Sequence, residues 1–283
     1  MAVRTHATGT TGGDAMKKML LGAAVLVGLL ALATAPRLGA RQASAAAKAS
    51  KSGKGISAEA DSALRKMTDY LASLQSFRVR SAAKDEVVLK SGQKIDLASQ
   101  SETSVQRPNK LRSEQVGAKG GLAFWYDGKS MTLECQSNGT YTTKPAPPDI
   151  DGAIDQARKQ FGIEAPGADL LYSKPYDILT EQVTGGQLIG HETVEGEPVT
   201  HLAFRGEEVD WQIWIKDGKE PLPVWFSIIT KTLPSQPEFE VHLSHWETKV
   251  SFPAATFAFK APPNGTSVDH FPKTCSPPTT AER

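Results

Sequence analysis

The sequence predicts an α+β fold: one large, curved, mostly antiparallel sheet with helices against one face. Three observations carry this reading. From Phe77 onward most of the chain reads as short extended segments punctuated by turn residues, while helical periodicity is confined to the start of the domain and one stretch in its middle. The third is the stretch Val209 to Thr232, two apolar strands folded back on each other about the polar turn Lys216-Asp217-Gly218-Lys219. In it Val209, Trp211, Ile213 and Ile215 alternate with Asp210, Gln212 and Lys216, and Trp214 breaks the alternation. On the return, Val224, Phe226 and Ile228 take one face and Trp225, Ser227 and Ile229 the other, after Pro221 and Pro223 have held the chain extended.

In chain order, residues 1–40 read as an export signal. Met16-Lys17-Lys18 is a short basic region, Met19 to Ala35 is apolar or small throughout, and small-residue cleavage patterns follow at Leu38-Gly39-Ala40 and Ala43-Ser44-Ala45. Met1 to Ala15 fits a long leading region or a start assigned too early. The alternative is an uncleaved anchor, for which the apolar run is short. No cysteine follows it to accept a lipid. The signal is bacterial in style, and the expected location is the periplasm, with the signal cleaved. Residues 41–56, rich in Ala, Ser, Lys and Gly, read as a disordered linker, 57–271 as a single domain, and 272–283 as a disordered tail.

Within the domain, Ser57 offers an N-cap, and Ala60, Ala63, Leu64, Met67, Tyr70, Leu71 and Leu74 recur at helical spacing. Segments 77–89, 93–107 and 111–115 read as strands solvated on one face, with turns at Ser91-Gly92 and Pro108-Asn109. A three-stranded meander follows over 122–126, 130–135 and 140–144, turned at Asp127-Gly128-Lys129 and Asn138-Gly139. Asp149 caps a helix over 150–161 that Gly162 stops, and shorter helical stretches follow at 168–171 and 175–182. Extended pattern then resumes at 187–194, 199–205, the opening hairpin, 238–246 and 256–259, giving about ten or eleven strands.

A formal net charge of +1 over 283 residues leaves no electrostatic footprint for nucleic acid. Two readings of Cys135 and Cys275 stay open: a disulfide closing a long loop, or a small buried residue in a strand and a thiol on a loose tail. No metal or other cofactor is implied. His242 and His245, three apart on a strand, point to opposite faces unless a bulge intervenes. Neither a G-x-S-x-G elbow nor a phosphate-binding glycine loop occurs, so no catalytic residues are assigned and the chain does not read as an enzyme.

Several stretches together carry a resemblance: WYDGK at Trp125 to Lys129, APGADLL at Ala165 to Leu171, EGEPVTHLAF at Glu195 to Phe204, DWQIWI with its PLP turn, and SHWE followed by FAFKAPP at Phe257 to Pro263. They resemble a family of predicted bacterial periplasmic proteins of unknown function, similar in turn to the outer-membrane lipoprotein carrier and sorting proteins and to mycobacterial lipid-carrying lipoproteins. The resemblance implies an unclosed β-barrel, or half-barrel, whose concave face is lidded by helices and encloses an apolar cavity. The side chains expected to line it are Phe124, Met131, Leu133, Trp211, Ile213, Ile215, Phe226 and Ile228; the competing reading of the same residues is a closed, packed core. The expected function is a periplasmic carrier or chaperone for a lipid, acyl chain or other hydrophobic ligand. The alternatives are an envelope interaction or sensor module that meets an envelope protein, and a cryptic hydrolase.

Overall fold

Eleven of the twelve strands form two consecutive antiparallel meanders, and these meet where the first strand pairs with the eleventh. The computed structural model describes residues 55–118, 120–163, 165–271 and 275. The export signal, most of the linker and most of the tail lie outside the described residues. Helix α1 (Ala58–Ser73) begins where the Ser57 side chain accepts from the Ala60 amide. The first meander is β1 (Ser76–Val88), β2 (Lys94–Gln106), β3 (Lys110–Gly117), β4 (Gly120–Tyr126), β5 (Ser130–Cys135) and β6 (Thr140–Pro145). Its turns are set locally: Asp127 accepts from the amides of Lys129 and Ser130, and Asn138 from that of Thr140.

Helix α2 (Ile150–Phe161) is capped by Asp149, which accepts from the Gly152 amide, and ends at Gly162 in the left-handed region at φ 64°. A 3-10 turn over Ala168–Leu171 and α3 (Pro175–Thr180) complete the helical layer. The second meander is β7 (Val183–Val194), β8 (Glu197–Gly206), β9 (Val209–Lys216), β10 (Pro223–Thr230) and β11 (Glu238–Glu247). The strand order is β12-β6-β5-β4-β3-β2-β1-β11-β10-β9-β8-β7, so the sheet stays open between β12 and β7. The β9–β10 hairpin lies in one half of the sheet, and its centre is the long β1–β2 pair.

Two boundaries differ from the sequence reading. Ile56, assigned to the linker, already bridges Gly186, and the Ser57 amide donates to the Gly186 carbonyl. The segment expected as a strand at 256–259 forms no strand: Thr256 ends a 3-10 turn, Ala254–Thr256, and 257–259 run on without regular structure inside a strap. The reason is topological. Strand β11 is paired on both sides, by β10 and β1, so the chain leaving it finds no free ladder there. The strap crosses the outer face, packing Phe252 beneath Arg78, Phe257 against Lys110 and Phe259 on Trp125 and Tyr141. It reaches a free edge only at β6, where β12 (Thr266–Ser267) pairs in parallel. Cys275 is then bonded to Cys135 at the end of β5, across a sequence separation of 140.

Candidate functional site

The apolar side of the sheet is fixed by parity and register. Phe77 and Val79 of β1, Val105 of β2, Leu111 of β3, Phe124 of β4 and Leu133 of β5 face the helices, as do Val241, Phe226, Ile213 and Leu202 across β11, β10, β9 and β8. Helix α1 packs over β7 and β8, and α2 over β5. Seven of the eight side chains expected to line a cavity, Phe124, Met131, Leu133, Trp211, Ile213, Ile215 and Phe226, are buried in this core. Ile228 is half-buried at its margin.

Ile228 belongs to a row that leaves the core. Register places Phe204, Trp211, Ile228, Phe239, Asp85 and Leu97 side by side on β8, β9, β10, β11, β1 and β2. Phe204 and Trp211 are buried and stacked with ring centroids 4.0 Å apart, whereas Ile228, Phe239 and Leu97 are half-buried. Val87 and Ile95, opposite each other one step nearer the β1–β2 tip, are half-buried too. The apolar surface thus grades from sealed under α1 to half-open toward the β1–β2 hairpin. At its closed end Gly186 leaves room for the Phe204 ring.

The lid helices are stitched by mostly half-buried polar groups. Tyr176 of α3 donates its hydroxyl to Asp61 of α1, and Arg65 pairs with the same carboxylate at 2.8 Å while lying over the Tyr176 ring. Burial, reinforced by Asp61, pushes the Tyr176 hydroxyl up to about 12. Burial raises the Asp61 carboxyl, but the hydrogen bonds from Arg65 and Tyr176 outweigh it and hold the group below its ordinary value. Arg158 of α2 bonds Asp169 at 2.8 Å, and Tyr172 donates to Asp155 at 2.7 Å. Arg107, at the end of β2, donates to the Tyr172 carbonyl at 3.3 Å. Its desolvated guanidinium is held below its ordinary value.

The other face carries what the sequence reading missed. Trp214 departs from the alternation because it points outward, and there His201, Trp214, Trp225 and His242 form a continuous ring stack across β8, β9, β10 and β11, with centroids 4.0, 4.1 and 4.7 Å apart. Glu192 joins His201 Nδ1 at 2.7 Å and accepts from Trp214 Nε1 at 3.1 Å. Of the three tryptophans in the hairpin only Trp211 faces the core. The bulge between His242 and His245 does exist: the β1 register slips between Arg78 and Arg80, and His245 sits at φ 52°. Among the described residues no group of three His, Cys, Asp or Glu side chains is placed to hold a metal ion.

No curated protein matches the chain. Among solved structures it is similar to the lipoprotein LppX of Mycobacterium tuberculosis, at 15% identity over 68% of this chain and 97% of that one with a TM-score of 0.42. It is also similar to LprF from Mycobacterium bovis, at 16% identity over 71% and 98% with a TM-score of 0.43. A LolA superfamily protein from Nitrosomonas europaea is similar at 14% identity over 71% and 97%, with a TM-score of 0.34. Residues 60–270, from the third residue of α1 to the end of the strap, match one family throughout, and the chain belongs to that family, described as predicted periplasmic protein (DUF2092).

Proposed function

We propose that this is an exported periplasmic protein, its signal cleaved, that binds a lipid, acyl chain or other hydrophobic ligand as carrier or chaperone and catalyses no reaction on it. The observation that carries this reading is the graded row from Phe204 to Leu97. A core that serves only stability is closed by its own side chains, whereas this one runs out into half-buried Ile228, Phe239 and Leu97. Adjacent strands are about 4.8 Å apart, so the half-open stretch from Ile228 on β10 to Leu97 on β2, three strand spacings that include the Asp85 position on β1, extends about 14 Å. A chain laid along it gains about 0.8 kcal/mol per buried methylene without any specific polar contact. Phe124, Met131, Leu133, Trp211, Ile213, Ile215 and Phe226 then form the sealed base, and Ile228 the first contact of the ligand.

Mass spectrometry of organic extracts from natively purified protein tests this. A stoichiometric lipid is expected, and Phe239→Asp, a change at a half-buried position, is expected to reduce loading at least tenfold with the fold intact. Protein that is empty after native purification and takes up no lipid from vesicles would sink the proposal. A second reading, docking of an envelope protein, is favoured by β7, which ends the sheet and exposes Ile189 at 47% on its edge. Capture of one stoichiometric protein partner by lipid-free protein distinguishes it.

A further inference from the structure

The middle of the helix-facing side is not apolar. Ser81 of β1 lies opposite Ser101 of β2 and Ser101 opposite Gln115 of β3; Ser99 lies opposite Ala83, and Thr103 opposite Ser113. All have the parity of Phe77 and Val79, so they point to the side the core occupies. Their polar atoms meet there: Ser81 Oγ and Ser101 Oγ are 2.6 Å apart, Thr103 Oγ1 and Ser113 Oγ 3.0 Å, and Gln115 Nε2 donates to Ser99 Oγ at 2.9 Å. The hydroxyl-bearing residues are half-buried and Gln115 is exposed. On one side of this band stand Phe239 and Leu243, on the other Leu122 and Phe124.

A hydroxyl has one proton and two lone pairs, and these pairings leave part of that capacity unused at every oxygen. Pure hydrocarbon laid over the band would strip those groups of water and replace nothing, at a cost of roughly tenfold in affinity per group. An ester, amide or hydroxyl would restore the bonds. Charge narrows the class further. Every helix-facing position of β1, β2, β3, β9, β10 and β11 lacks Lys or Arg, and the charged side chain there is the carboxylate of Asp85. An anionic head group would meet no Lys or Arg counter-ion at these strand positions.

We propose that the ligand is an uncharged amphiphile, its chain along Phe239 and Ile228 and its ester, amide or hydroxyl groups on the Ser81, Ser99, Ser101 and Ser113 band. Ser99 and Ser101 are thereby specificity-determining residues. The inference rests on the hydrophobic-ligand reading above and adds the polar half of the ligand to it.

The test is equilibrium binding of three fluorescent probes to delipidated full-length mature protein: a diacylglycerol, a phosphatidic acid with the same acyl chains, and a long alkane. The diacylglycerol is expected to bind at least tenfold more tightly than either of the others. Ser99→Ala with Ser101→Ala is expected to weaken diacylglycerol at least tenfold while weakening the alkane not at all, and Ser99→Thr with Ser101→Thr, which retains the hydroxyls, to recover most of the loss. Equal binding of all three probes to the wild-type protein, or tighter phosphatidic acid, would overturn this inference and leave the carrier reading standing. Binding of none of them would overturn both. Because the probe comparison is made on the wild-type protein, the outcome does not depend on how the variants fold.

Discussion

Gly186→Ala is the sharpest test of how the closed end of the apolar row is built. A Cβ at this position would lie 2.5 Å from Cδ1 and 2.7 Å from Cε1 of Phe204, and 3.3 Å from Cγ2 of Ile56. Carbon contacts are comfortable at about 3.5 to 4.0 Å, so the ring must retreat by about 1 Å. It has nowhere to go: Phe204 is stacked on Trp211 at 4.0 Å, and Trp211 meets Phe226 edge-on at 5.7 Å, all three buried. Overpacking of this kind costs about 1–3 kcal/mol, and the stiffer unfolded chain of alanine returns about 0.4–1 kcal/mol. The net expectation is a loss of about 1–2 kcal/mol, or about 2–8 °C in melting temperature for a domain of this size. Denaturant titration and calorimetry measure it. Phe204→Leu in the same chain removes the clash, so the two changes together should cost at least about 1 kcal/mol less than the sum of the singles. A Gly186→Ala protein as stable as the parent, or more stable, would refute the argument.

Two further outcomes follow from the lid and the strap. Asp61 is depressed in the folded protein, so its stabilising contribution is complete above its unfolded pKa and is lost as pH falls through the folded one. Asp61→Asn should therefore lower the melting temperature at pH 7, with the deficit shrinking below about pH 4; a deficit that stays constant down to pH 3 would contradict the assignment. Cys275→Ser opens a closure spanning 140 residues and should cost about 2–4 kcal/mol in guanidinium titrations. The same loss should appear in the parent protein on adding reductant, and unchanged midpoints would show that the strap holds without the bond.

Features encoded within a few residues were legible in the sequence. The caps at Ser57 and Asp149, the Asp127 and Asn138 turns and the alternation of Trp211, Ile213 and Ile215 are each complete within one turn or one strand, and each is found where its pattern places it. Features that depend on which strand lies beside which were not. Serine and threonine in β1 to β3 read as a solvated face, yet register turns Ser81, Ser99, Ser101, Thr103 and Ser113 to the same side as the core. The row of Leu97, Phe239 and Ile228 draws one residue from each of three separate strands, so no window of sequence contains it. The ring stack is assembled the same way from His201, Trp214, Trp225 and His242, although the break in alternation at Trp214 was its one local signal.

The pairing of β1 with β11 also sets the order in which the sheet can be completed. Every other ladder of the two meanders joins strands adjacent in sequence, so each half can zip from its own hairpins with little loop-closure entropy. The seam joins Asp85 to Phe239, with both meanders and the helices between them looped out. Such distant contacts are the slow ones in folding. Until they form, the long edges of β1 and β11 are open templates for other strands. On the outer face of this seam Arg78 of β1 meets Glu247 of β11 and Lys84 meets Glu240. Those pairs favour the correct partner over a neighbouring chain at the one edge that must wait, so the outer face of the seam guards against aggregation as well as holding the halves together.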